Sequence, residues 1–161
     1  MAFVDTHDHG VCVRKALDAA RRLCRERNVR LTPIRQRVLE IVWRGHKPLG
    51  AYEVLEFLRA ERGRAEAPTV YRALEFLLDL GLIHRLESLN AYIGCVYPGS
   101  RHASQFIICQ DCGNTTELDG SELARAIDWR AQTMGFTVSQ RVIEVRGNCA
   151  DCRATGAVVH D

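Results

Sequence analysis

Through the first half of the chain, apolar residues recur at intervals of three and four, the spacing of one face of a helix. Over 13–27, Leu17, Ala20 and Cys24 fall on one stripe, with arginines around the rest. Thr32 and Pro33 read as an N-cap and a first helical position, and Ile34, Val38, Ile41 and Val42 continue that helix to residue 44. Residues 51–62 place Ala51, Val54, Leu55 and Leu58 towards a core and stop before Gly63. Residues 68–80 open on Pro68, carry Val70, Leu74, Leu77 and Leu78, and end at Gly81, a residue suited to closing a helix. The period then changes. Residues 82–86 and 91–96 read as two strands about a turn at Ser88-Leu89-Asn90, so helices followed by a hairpin give the order of a winged helix-turn-helix. Pro98-Gly99-Ser100 marks a linker. Beyond it the pattern predicts strand 105–109, strand 114–118, helix 121–134 and strand 136–146, with a tight knuckle after the first and last strands. The fold class expected is α/β (α+β). Its parts are a tail over 1–13, a winged helix-turn-helix domain over 14–97, a hinge over 98–103 and a small C-terminal α/β domain over 104–161.

A length of 161 residues with 47% hydrophobic content suffices for one ordinary domain or two small ones. No apolar run approaches the ~18 residues of a membrane span, and the first residues lack a basic segment followed by an apolar one. The expectation is a cytoplasmic protein without a signal peptide. Net charge is only +2, yet residues 14–37 carry nine basic groups against Asp18 and Glu26. Such a block suits a polyanion partner or a solvated arginine-rich helix face, and charge alone does not choose between them.

The cysteines add more. Seven in a chain without a secretory leader point to a reducing compartment, and an odd number cannot be fully paired. Cys109, Cys112, Cys149 and Cys152 form C-x2-C…C-x2-C, two turns that each aim two thiolates at one point. That is the tetrahedral demand of zinc, and a four-sulfur shell leaves no position open for a substrate, so the site reads as a structural staple. A redox dithiol is the alternative. Cys24 lies on an apolar stripe and reads as core. Metal-capable residues also occur at His84, Cys95, His102 and Glu117, each with an ordinary reading as a surface histidine, a small buried hydrophobe or a strand carboxylate. Spacing alone leaves a shared site open.

Three stretches together carry a resemblance: N-V-R-L-T-P-I-R-Q-R-V-L from Asn28, A-P-T-V-Y-R-A-L-E-F-L-L from Ala67, and the paired knuckles. In this order, over about residues 14–155, the chain resembles the Fur family of metal-dependent bacterial repressors. The stretch from His84 to Cys95 is similar to the wing of that family's zinc uptake regulators. The resemblance implies a dimer of zinc-loaded chains on a palindromic double-stranded DNA operator of zinc uptake and homeostasis genes. It also implies two zinc ions per chain, one structural in the four-cysteine site and one regulatory on His84, Cys95, His102 and Glu117. Two neutral imidazoles, a thiolate and a carboxylate balance the charge of Zn²⁺, and a thiolate at Cys95 favours zinc over the iron or peroxide sensing of other members. An iron- or peroxide-responsive repressor is the alternative. Where many members have a His-His-Asp-His run, this chain has R101-H102-A103-S104, which argues against a further site there.

On the same footing, 68–80 becomes the recognition helix. Arg72 lies opposite its apolar stripe, with Thr69 and Tyr71 beside it near the N-terminal end that enters a major groove. Arg72 is suited to guanine, and Tyr71 to a thymine methyl or a phosphate. Tyr52 on the preceding helix is a further contact, and Arg30, Arg35 and Arg37 are candidate phosphate contacts. Glu56 and Arg59 read first as an ordinary helix pair. No catalytic residue is expected, no membrane, and no small-molecule substrate other than zinc. A hydrolase would need an open metal position that four ligands do not leave.

Overall fold

The computed structural model describes residues 9–45, 47–99, 104–139 and 141–155. The chain divides after Gly99 into two compact units.

The first unit contains α1 (His9–Glu26), α2 (Pro33–Val42), β1 (Leu49–Gly50), α3 (Ala51–Arg62), α4 (Ala67–Asp79), β2 (Ile83–Leu86) and β3 (Ala91–Gly94). Thr32 caps α2 by accepting a hydrogen bond from the Arg35 N–H, with Pro33 in the first turn, as its sequence requires. Helix α1 begins at His9, so its first turn lies inside the stretch expected as a tail. Extending an established helix costs far less than starting one. The apolar stripes meet in one core that includes Leu17, Cys24, Val38, Ile41, Val54, Leu58, Val70, Leu74 and Leu77. Burial pushes the Cys24 thiol up, against a smaller opposing effect from Arg35, which suits a core residue and not a reactive one.

The exit from α4 sets up the hairpin. Gly81, at φ +67°, takes the left-handed conformation that a side chain disfavours. Its N–H donates to the Leu78 carbonyl and that of Leu82 to the Leu77 carbonyl, the doubly bonded closure of a helix end. The chain then reverses directly into β2. Strands β2 and β3 pair antiparallel with His84 opposite Ile93 and Ile83 opposite Gly94. The short β1 adds to the other side of β3, giving the order β1-β3-β2. Two residues are too few to show alternation, so the sequence pattern gives no third strand.

The second unit contains β4 (Ser104–Cys109), β5 (Thr115–Asp119), α5 (Ser121–Thr133), β6 (Ile143–Gly147) and α6 (Ala150–Ala154). Its sheet runs β5-β4-β6, with β5 antiparallel and β6 parallel to β4. The expected strand over 136–146 is corrected to its last part. Phe136 donates its N–H back to the Ala131 carbonyl to close α5, and Arg141 is ion-paired to Asp128, so this stretch connects instead of pairing. Buried Gln105 donates to the Gly120 carbonyl at 3.0 Å, which satisfies its amide between β5 and α5. No helix among the described residues is long and apolar enough to cross a membrane.

Candidate metal centre and nucleic-acid interface

Cys109 ends β4 beside Gly147, which ends β6, so the parallel pairing brings the two knuckles to the same end of the sheet. The first knuckle turns back on itself: the Cys109 N–H donates to the Asn114 carbonyl and the Gly113 N–H to the Cys109 carbonyl. In the second, Cys149 is the N-cap of α6, its sulfur accepting from the Cys152 N–H at 3.4 Å. Asn148 donates its side-chain amide to Asp111 at 2.6 Å and so ties one knuckle to the other. This clamp was missed in the sequence, although both residues sit beside knuckle cysteines.

The four sulfurs lie within 4.8 Å of one another. Cys109 and Cys152 are 3.8 Å apart, and Cys112 and Cys149 are 3.9 Å apart. A tetrahedron of sulfurs about 2.3 Å from a central zinc has edges of about 3.8 Å. The thiols are therefore spaced for a tetrahedral ion, and none is in a disulfide. Burial raises the Cys109 thiol, but N–H groups of Cys112, Cys149 and Asp111 outweigh it and hold the group down to about 6. The Cys152 thiol is pushed up, first by its hydrogen bond with Cys149 and then by burial. One thiolate forms easily and further ones crowd it, so the set calls for a cation to hold all four charges.

In the first unit, the alternation of the hairpin puts His84, Ile93 and Cys95 on one face. Cys95 follows β3 and is anchored by its N–H to the Leu82 carbonyl at 3.0 Å. A ring nitrogen of His84 and the Cys95 sulfur lie within 4.8 Å of each other, with Cys95 buried and His84 half-buried. An imidazole and a thiol at this separation can share one metal ion, which would need further donors to complete its shell. Glu117 is half-buried on β5 of the second unit, in register with Phe106. His102 lies outside the described residues.

The helix face expected to meet DNA is exposed. Arg72 is at the surface, its Nε donating to the Pro68 carbonyl, beside exposed Tyr71 and half-buried Thr69 near the start of α4. Tyr52, in the first turn of α3, is 71% exposed. Glu56 and Arg59 form the helix pair expected of them, at 3.0 Å. Arg30 is exposed, and its carbonyl accepts from Arg35 at 2.6 Å. Arg35 also lies over the Phe76 ring at 3.6 Å. Arg37 is gripped by Glu61 through two bonds and by Glu40 through one. The Arg37 hydrogen bonds hold the Glu61 carboxyl below the usual carboxylate range. Arg35 and Arg37 thus already serve to hold α2 against its neighbours, a role that charge counting does not reveal.

A sequence model of the ferric uptake regulator family matches residues 26–146. The zinc uptake regulation protein of Escherichia coli strain K12 is 38% identical over 148 residues, which cover 91% of this chain and 86% of that protein. A solved zinc uptake regulator, complexed with zinc and DNA, matches with a TM-score of 0.84 at 37% identity, over 91% of this chain and 98% of that one. The crystal structure of holo XcZur matches with a TM-score of 0.78 at 40% identity, over 89% and 98%.

Proposed function

Because the chain belongs to the ferric uptake regulator family, we propose that it is a zinc-responsive transcriptional repressor. As a zinc-loaded homodimer it binds palindromic operators of zinc uptake and homeostasis genes in the cytoplasm. The observation that carries the reading is the imidazole–thiol pair of His84 and Cys95, in a chain 38% identical to a zinc uptake regulation protein. Sulfur in the sensing set selects zinc over harder ions.

In this reading Cys109, Cys112, Cys149 and Cys152 hold a structural zinc. His84, Cys95, His102 and Glu117 hold a second, regulatory one. Residues 14–97 form the DNA-binding domain, 98–103 the hinge and 104–161 the dimerisation domain. Zinc supplies a divalent charge that draws its donors together, and the chain supplies those donors from the hairpin, the hinge and the second unit. Binding therefore favours one arrangement of the two units, and it raises DNA affinity only as far as that arrangement binds zinc better than the others. Arg72, Tyr71 and Thr69 read base edges, while Tyr52, Arg30, Arg35 and Arg37 position the protein on the backbone. Dimer formation is supported by the apolar surface of the second unit: Trp129, Met134, Val142 and Val145 are more than half exposed, and Phe136 is 70% exposed. Strand β6 is also an open sheet edge among the described residues.

The test is a zinc titration of reduced protein against a palindromic operator. The wild type is expected to take up two zinc ions per chain and to gain about 10- to 100-fold in DNA affinity as the second fills. Cys95→Ser is expected to remain a folded dimer with one zinc and to lose that gain. Zinc-dependent binding unchanged in Cys95→Ser would sink the assignment.

A further inference from the structure

Trp43 is the residue at which α2 ends, and its indole lies against the backbone of Gly94, the last residue of β3. A Cβ placed on Gly94 would come within 2.2 Å of the indole Cε2, 2.5 Å of Nε1 and 2.6 Å of Cδ2. No side chain fits there without moving the ring or the strand. The indole N–H is buried and has no hydrogen-bond partner among the described residues. A buried indole ordinarily finds one, so shape and not hydrogen bonding holds this ring in place.

The alternation of the hairpin gives the contact its meaning. Ile83 and Tyr92 point into the core that Trp43 packs against, and Gly94 shares their face. Cys95 and His84 point the other way, with Ile93. The indole therefore presses on the back of the strand whose front carries the metal-binding thiol. Trp43 is also fixed to α2, its backbone N–H donating to the Leu39 carbonyl at 3.1 Å. Helix α2 packs against both α3 and α4, the pair that carries Tyr52 and Arg72.

We propose that Trp43 and Gly94 are a positioning pair for the hairpin metal site. The ring sets the depth at which β3 presents Cys95 towards His84, and it ties the hairpin to the helix that supports the DNA-reading pair. Neither residue offers a metal ligand or a DNA contact. The inference rests on the reading that His84 and Cys95 hold zinc.

The test measures the affinity for the second zinc by competition with a chelator, on full-length reduced protein, alongside operator binding and thermal unfolding. Gly94→Ala forces a methyl into the space of the ring and is expected to weaken the second zinc by about tenfold or more, the scale of losing a residue that orients a ligand. The first zinc is expected to stay bound. Trp43→Leu, which removes the ring and fits the core, is expected to weaken the second zinc severalfold. The double variant Trp43→Leu/Gly94→Ala, which makes room for the methyl, is expected to bind the second zinc no worse than Trp43→Leu alone. A packing role alone would lower the melting temperature and leave the second zinc affinity at its wild-type value, and that result overturns the inference. If Gly94→Ala does not fold, Trp43→Leu decides alone, and wild-type zinc affinity in that variant overturns it equally. A wild type that takes up no second zinc would sink the proposed function and this inference with it. A wild type that does, beside variants that match it, would sink only the inference.

Discussion

In the first unit most buried side chains, from Ala16 to Tyr92, form one apolar cluster fed by four helices and a hairpin, while Leu86, Ala91, Ile93 and Cys95 are buried outside it. In the second, the buried side chains among the described residues are Gln105, Phe106, Ile108, Cys109, Thr115, Ala124 and Cys149, while Trp129, Met134 and Phe136 lie at the surface. The first unit holds enough apolar material to stand on burial alone. The second buries too little for its length, and two of its seven buried side chains among the described residues belong to the four-sulfur cluster. Small units of this kind draw stability from metal or from association. The same contrast separates the two donor sets. Four thiols supplied by one unit are enough for the full tetrahedral shell of one ion. In the proposed reading His84 and Cys95 supply only two of four donors, and that shell closes only when His102 and Glu117 join them.

The largest expected effect comes from opening the complete shell. Structural zinc contributes about 10–16 kcal/mol in small zinc domains, more than the whole stability of most units of this size. Cys152→Ser is expected to lose the structural zinc, to unfold the second unit and to abolish the dimer. The first unit should keep its protection. Hydrogen exchange followed peptide by peptide, with metal content and sedimentation, checks this. A second unit that stays protected without its metal would erase the contrast between the units.

A smaller effect is expected from the core of the first unit. Leu77 is fully buried on α4 among Val70, Ala73 and Leu74. Leu77→Ala is expected to cost about 2–5 kcal/mol, the range for emptying a packed leucine site. Its structural zinc content should not change. A urea melt read alongside metal content tests both halves. Zinc lost together with the helical core would mean that the two units do not stand independently.

Much of this organisation can be read in the chain, and the exceptions have physical reasons. Helix bounds followed from local chemistry: Thr32 and Pro33 open α2, and Gly63 and Gly81 close α3 and α4. The four-cysteine set was legible because its spacing is the site. The His84–Cys95 pair was legible only as two metal-capable residues, since their meeting depends on the register that sets His84 opposite Ile93. Strand β6 was overestimated because apolar Phe136 and Val142 look like strand residues while serving at the surface. The Trp43–Gly94 contact was not legible at all. A glycine in a strand marks a close approach of something, but only the fold shows that an indole 51 positions earlier fills the space.

The smallest expected effect is the most discriminating, because it perturbs one unit without touching its core or any donor. Thr32 Oγ1 accepts from the Arg35 N–H at 3.5 Å, the long end of a hydrogen bond, while the Thr32 carbonyl separately accepts from Gln36 at 3.0 Å. Removing the hydroxyl leaves that backbone bond in place, so Thr32→Ala should cost at the low end of the capping range, about 0.5–1 kcal/mol. Thr32→Ser should cost less, because the acceptor is kept. Urea midpoints of the first unit give the size of the effect, and metal content gives its reach. If the units are held as differently as their cores suggest, the midpoint moves and the structural zinc does not. A loss of structural zinc in Thr32→Ala would show that even a helix cap in the first unit is felt at the four sulfurs, and the division between a self-supporting unit and a metal-supported one would fail.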